Sequence, residues 1–328
     1  MRKKIIGFAL STMLLALCGL ADAQQAKKVP RIGCLFTPSA SASVSLREAF
    51  REGLRQLGYV EGQNIVVEWR YADGRDERLP DLAAELVRLK VDVIVTHSTP
   101  AIRAVEHATK IIPIIMAVVG DPIAQGFVAS LARPGGNITG FTNLSPDLVT
   151  KRLELLKEVS PKILRVAVFQ NAAQHGPAMK EVETAAKFLR LQLQILEVRG
   201  PNDLEMAFEA VTRERADALM TLPNPRLRLD NRTRKRILDF TLNRRMPSMH
   251  EGDEYVEAGG LMSYGPDDED NFRRAATYVD KILKGSKVSE LPVQQPMKFE
   301  FVFNLKTAKQ IGLTVPPNLL VRANRVIK

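Results

Sequence analysis

Apolar residues fall into two kinds of run that alternate along this chain. Short continuous blocks rich in β-branched residues, such as Arg31 to Phe36, Val91 to Thr96 and Ile111 to Val119, are separated by longer stretches with helical spacing. Leu46, Phe50, Leu54 and Leu57 show that spacing between Ser45 and Gly58. Continuous blocks of this kind predict strands buried on both faces of a parallel sheet, and the spaced stretches predict helices laid over them. Further strands are predicted at Asn64 to Trp69 and Ile138 to Phe141, and further helices at Leu79 to Leu89, Pro100 to Thr109 and Ile123 to Leu131. After Asn143 the scheme repeats, with strands at Arg165 to Phe169, Leu191 to Val198, Ala216 to Leu222 and Pro247 to His250, and helices between them. Leu261 to Gly265 reads as another short strand, Asp267 to Leu283 as a long helix, and Lys298 to Asn304 as a last strand before a helix from Leu305 to Ile311. Strictly alternating elements predict the α/β class with parallel sheets and right-handed crossovers, and the repeat predicts two lobes.

The segment ahead of the first strand has a different character. Met1 to Ala23 begins with Arg2, Lys3 and Lys4, continues through an apolar stretch from Ile5 to Leu20 and ends Ala21-Asp22-Ala23. That order describes a secretory signal peptide over residues 1–23, with mature protein from about Gln24. An uncleaved anchor is disfavoured by Ser11 and Thr12 within the apolar run, and lipidation of Cys18 by the bulky Leu17 before it. Cleavage would remove three basic residues and one acid, taking the formal charge from +10 to +8. Basic and acidic residues are interleaved, so this charge describes a solvated surface, and nucleic acid is a poor partner for an exported protein. Once Cys18 is gone, Cys34 is the remaining thiol, which excludes an internal disulfide and reads as a small hydrophobe in the first strand.

Catalytic and cofactor signatures are missing. There is no Gly-x-Ser-x-Gly, no Gly-x-x-x-x-Gly-Lys, no Gly-x-Gly-x-x-Gly after the first strand and no paired histidines at metal spacing. His250 with Glu251, Asp253 and Glu254 reads as a polar strand-end loop more readily than as a metal site, so neither metal nor cofactor is expected. Small polar residues instead follow one strand after another. Thr37 and Ser39 follow the first, His97, Ser98 and Thr99 the third, and Gly120 and Asp121 the fourth. In the second half Asn171, Asn224 and Glu251 hold matching positions. Ligands of open α/β sheets lie at the carboxyl ends of strands, and hydroxyls beside a helix N-terminus suit a carboxylate. Ordinary capping accounts for any one of these residues equally well, Asp121 included.

Four strings carry a family resemblance that spans nearly all of the mature chain. They are Leu57-Gly58-Tyr59-Val60-Glu61-Gly62-Gln63-Asn64, Leu131 to Gly140 (Leu-Ala-Arg-Pro-Gly-Gly-Asn-Ile-Thr-Gly), Ala258 to Gly265 (Ala-Gly-Gly-Leu-Met-Ser-Tyr-Gly) and Asn304-Leu305-Lys306-Thr307-Ala308-Lys309. In these strings the chain resembles the ABC-transporter substrate-binding proteins related to the tryptophan-uptake binding protein. The resemblance implies a type I periplasmic-binding-protein fold, with two Rossmann-like lobes, three crossing strands, a ligand in the cleft and no catalysis. It implies discontinuous lobes, placed at 29–143 plus 258–289 and at 144–257 plus 290–328, with hinges near Thr142, Glu257 and beyond Val288. A small polar ligand, an amino acid or a related compound, would be held by Ser39, Ser98, Thr99 and Asp121 from one lobe and Asn171, Asn224 and Glu251 from the other. Tyr264 and Tyr255 would form an aromatic wall. A periplasmic monomer delivering its ligand to an inner-membrane permease is the expected role, with a ligand-sensing subunit of a membrane receptor as the alternative.

Overall fold

The computed structural model describes residues 28–143, 146–170, 179–224, 227 and 230–328. The first lobe is built on five parallel strands, β1 (Arg31–Phe36), β2 (Val66–Tyr71), β3 (Val93–His97), β4 (Ile114–Val119) and β5 (Ile138–Thr142), in the order β2-β1-β3-β4-β5. Helices α1 (Val44–Gln56), α2 (Leu79–Arg88) and α3 (Thr99–Ala108) make the crossovers. The second lobe begins with α4 (Pro146–Val159), and continues β6 (Arg165–Gln170), α5 (Met179–Phe188), β7 (Gln192–Glu197), α6 (Leu204–Arg213), β8 (Ala218–Thr221), α7 (Asn231–Asn243), β9 (Ser248–His250), α8 (Asp253–Glu257) and β10 (Met262–Pro266). Helix α9 (Asp268–Leu283) comes next, followed by β11 (Phe299–Asn304), α10 (Leu305–Gln310), α11 (Pro317–Arg322) and β12 (Arg325–Ile327).

Each sheet is sandwiched because its strands are apolar on both faces. In β1 only Arg31 is not fully buried, so one face packs with Phe50, Leu54 and Phe272 under α1 and α9 while the other packs with Leu79, Leu86 and Ile102. The second sheet, ordered β12-β11-β10-β9-β8-β6-β7, has Leu153, Leu156, Val182 and Ala308 on one side and Leu204, Val211, Ile237 and Tyr255 on the other. It is mixed, because β10 pairs antiparallel to β11.

Three expectations are corrected. The stretch from Ile123 to Leu131 is a loop, so β4 reaches its parallel neighbour β5 without a helix. Gly126 at φ 75° breaks the helical turn after Pro122, and Phe127 and Val128 are buried against the sheet from an irregular backbone. Strand β10, expected in the first lobe, pairs with β9 and β11 in the second sheet. Only α9 of the segment 258–289 packs on the first sheet, so the second crossing falls at Pro266-Asp267 and not near Glu257. In return, residues 291–294 belong with the first lobe: Gln294 bridges Phe141 on the free edge of β5, and the Thr139 hydroxyl donates to the Leu291 carbonyl at 2.6 Å. The chain therefore crosses between sheets after Asn143, at Pro266-Asp267 and between Gln294 and Phe299.

Gly140 shows how tightly β4 and β5 are joined. It has φ 139°, and a Cβ there would stand 2.1 Å from the Met116 carbonyl oxygen. Backbone cannot yield as a side-chain tip would, so Gly140→Ala is expected to destabilise the protein by about 3 kcal/mol or to prevent folding. Urea unfolding of variant and parent, followed by circular dichroism, measures the difference.

Candidate ligand-binding site

The carboxyl ends of β1 and β3 meet through their hydroxyls. Thr37 Oγ1 and Ser98 Oγ lie 2.7 Å apart, and Ser98 directly precedes α3. Ser98 has φ 69° and ψ 144°, a backbone region that side chains other than glycine rarely occupy and that costs about 1–3 kcal/mol. Its side chain does not cap the helix, so the first-turn amides of Thr99 and Ala101, Pro100 having none, take no cap from it. Thr99, the first residue of α3, is half-buried beside it. Behind these groups Phe36, His97 and Phe272 stack with centroids 5.1 to 5.7 Å apart, giving the hydroxyls a rigid apolar backing.

The other first-lobe candidates are more self-contained. Ser39 Oγ shares a hydrogen with Ser41 Oγ at 3.0 Å and accepts from the Ala42 amide at 3.3 Å. Asp121 Oδ1 accepts from the amides of Ile123 and Ala124, both at 3.0 Å, so this carboxylate does cap the turn it opens. Arg103 fixes the same loop, donating to the Gln125 carbonyl at 2.5 Å and stacking over Phe127 at 4.3 Å.

A buried polar cluster occupies the corresponding end of the second lobe. Thr221 closes β8, His250 closes β9, and Glu251 follows; all three are at most 4% exposed. Thr221 donates to Glu251 Oε2 at 2.5 Å, and its oxygen lies 3.1 Å from His250 Nδ1. His250 Nε2 is 3.1 Å from Ser248 Oγ, and the imidazole stacks on Tyr255 at 4.3 Å with the rings 2° from parallel. Arg152 of α4, 2% exposed, donates from Nε to the Tyr264 carbonyl at 2.6 Å. Its terminal nitrogen approaches Gly265, where any Cβ would collide with the Glu251 carbonyl at 2.1 Å. The guanidinium is thus buried against the backbone of β10 where it meets the Glu251 carbonyl, a placement that costs stability unless hydrogen bonds offset it.

Asn224 is 1% exposed and donates to the Val198 carbonyl at 2.8 Å, tying the loop after β8 to the end of β7. Asn171 lies outside the described residues. Tyr264 does not join the others: it stacks on Phe299 at 6.0 Å and lines a groove of about 340 Å³ with Lys151, Leu155, Phe301, Arg322 and Asn324 on the α4 side of the sheet. Strand alternation explains this, since side chains of β10 point to opposite faces and that of Tyr264 goes to the α4 side. Tyr255, likewise expected as aromatic wall, is fully buried under His250. Sequence reasoning passed over Arg152, although Leu148, Arg152, Leu155 and Val159 recur at helical spacing and all are buried. A charge in an apolar register was the available signal. Among the described residues no group of His, Cys, Asp and Glu could hold a metal ion, and no helix is long and apolar enough to cross a membrane.

Two sandwiched lobes joined by three crossings, each with polar residues at its strand ends, have the plan of a two-lobe solute-binding protein. The chain belongs to the ABC transporter substrate binding protein family, whose model matches residues 32–327. This family binds solutes and is not one of enzymes. A tyrosine-binding protein from Clostridioides difficile (strain R20291) is 27% identical over 322 residues, covering 94% of this chain and 91% of that protein. A conserved domain protein from Vibrio cholerae matches in structure with TM-score 0.81 and 28% identity, covering 91% of this chain and all of the other. The ABC domain from Streptococcus pneumonia in complex with L-Trp matches with TM-score 0.81 and 25% identity, covering 91% and 99%.

His250 has a measurable signature. Full burial, reinforced by the nearby Arg152 charge, lowers its pKa from 6.5 to about 3. The folded protein holds the ring neutral while the unfolded chain takes up a proton, so this contribution is complete above about pH 6.5 and is lost as pH falls towards 3. Unfolding free energy should drop by roughly 1.4 kcal/mol per pH unit across that window. In His250→Gln this part of the acid slope should be missing, as denaturant titrations at pH 7, 5 and 4 would register.

Proposed function

We propose that this chain is the exported solute-binding component of an ABC importer and that its ligand is an amino acid or a close relative of one. The observation that carries the reading is the Thr37–Ser98 hydroxyl pair on a strained backbone at the uncapped start of α3. Strain of this kind persists where a ligand needs the geometry, and hydroxyls with free amides at a helix start receive a carboxylate. Glu251 of the second lobe supplies the opposite charge for an ammonium group, with Asn171 and Asn224 at the neighbouring strand ends and Asp121 and Ser39 at the rim of the first. Tyrosine and L-Trp, the ligands named for two relatives, have both groups.

In this reading the ligand settles against one lobe and the other closes over it through the three crossings. A ligand that prefers the closed arrangement by a few kcal/mol is enough to shift the population. Residues 1–23 act as a cleaved signal peptide, the mature protein works as a monomer in the periplasm, and a permease in the inner membrane takes the closed form. Support comes from the family, whose members are typically exported, and from the leader-like start of the chain.

A thermal-shift series on the mature protein from Gln24 tests this. An amino acid present at a hundred times its Kd should add about 2.7 kcal/mol of stability. Ser98→Gly should leave the unliganded protein as stable as the parent or more so, because the strain is relieved, while weakening amino acid binding about tenfold. Absence of a shift with every amino acid would count against the ligand class. Retained affinity in Ser98→Gly would remove the first-lobe site.

A further inference from the structure

The hydrogen atoms of the second-lobe cluster can be assigned one by one. Thr221 has a single hydroxyl proton and gives it to Glu251 Oε2, so the same oxygen must accept from His250. That requires the proton of the neutral imidazole to sit on Nδ1. Nε2 is then an acceptor, served by the Ser248 hydroxyl, whose oxygen in turn accepts from the Leu261 amide at 3.4 Å. Each donor in Ser248–His250–Thr221–Glu251 is used once and every step points towards the carboxylate. The chain runs across the adjacent strands β8 and β9 with each of its members at most 4% exposed, so no rotamer exchange with water competes with it.

We propose that Ser248, His250 and Thr221 are positioning residues that hold Glu251 as an oriented carboxylate and thereby make the second lobe selective for ligands with a protonated amine. The inference rests on the amino acid reading above and adds the reason for discrimination. A proton on Glu251 Oε2 would have to displace the Thr221 bond or turn it round, and reversal would run back through the imidazole to Ser248. Arg152, buried beside Gly265, biases the cluster in the same sense, because a fixed positive charge disfavours a second cation on the ring. At this burial a charge–charge contact is worth more than at the surface, so an amine gains and a ligand without one gains nothing.

Two measurements decide the matter. Imidazole ¹⁵N NMR of the ligand-free protein at pH 7 should show His250 neutral with its proton on Nδ1; a proton on Nε2 would reverse the chain and overturn the proposal. Binding of L-tyrosine and of its des-amino counterpart, 3-(4-hydroxyphenyl)propionate, should be compared by calorimetry in the parent, Thr221→Val and Thr221→Ser. The valine variant keeps the shape without the hydroxyl and should weaken L-tyrosine about tenfold or more, the loss of one hydrogen bond to a charged group, with little change for the des-amino acid. The serine variant restores the hydroxyl and should stay within about threefold of the parent. Should Thr221→Val fail to fold, Ser248→Ala provides the smaller selective loss and the NMR result stands alone. Equal losses for both ligands would reduce the chain to a structural role and leave the amino acid reading intact, whereas a parent protein that binds neither compound would remove both.

Discussion

The two lobes depend on one turn of helix. Three segments cross between the sheets, and the N-terminal turn of α9 fastens all of them. Asn143, on the first crossing, donates to Asp268 at 3.0 Å and accepts from Asn271 at 3.1 Å. Asp267, on the second, accepts from the Asp270 amide at 2.8 Å and donates its own amide to the Lys298 carbonyl on the third at 3.1 Å. Lys298 also pairs with Asp270 at 2.9 Å, and Arg274 reaches both Asp270 and Gln294. Among the described residues no apolar cluster joins the lobes at this point, and hydrogen bonds and ion pairs around one helix start link the three crossings. Such contacts exchange partners with little change in buried area, which is the property a hinge needs.

The polar strand ends of the two lobes differ in kind. In the first lobe the polar groups are neutral hydroxyls and backbone amides, braced by an aromatic cluster and held in a strained conformation. In the second they are charges and an imidazole buried almost completely and ordered by a directional hydrogen-bond chain. A zwitterion, the ligand class proposed for this chain, would suit both: its anionic end takes donors without a full counter-charge, and its cationic end takes a carboxylate. The asymmetry follows from where the residues fall in their elements, since Ser98 directly precedes a helix while Thr221 and His250 end strands that pair with each other through neighbouring positions.

Much of this architecture is written locally. Continuous β-branched blocks, helical spacing with glycine stops and the repeat about Asn143 determine the α/β class, most strand positions and the two-lobe plan, because burial on both faces of a sheet leaves a pattern within each segment. The strand-end positions of Ser98, Thr99 and Glu251 were legible for the same reason, because each follows a predicted strand. Where local signals were ambiguous the prediction failed: Ile123 to Leu131 has helical spacing, yet Pro122, Gly126 and the burial of Phe127 and Val128 against the sheet favour a loop.

Only the tertiary structure decided which sheet each late strand joins. The segment Met262–Pro266 has the same pattern whichever lobe takes it, and its place follows from pairing with β9 and β11, contacts that no neighbouring residue encodes. Arg152, Ser248 and His250 are of that kind too. Their surroundings come from segments distant in sequence, Arg152 beside Tyr264 and Gly265 about a hundred residues on, and His250, with Ser248 on its own strand, against Thr221 of the neighbouring strand. The sequence by itself thus determined the elements and the residues at their ends, through burial patterns that are local. Folding decided which strands share a sheet and which polar groups are buried together, because those depend on long-range pairing and on the crossings at α9.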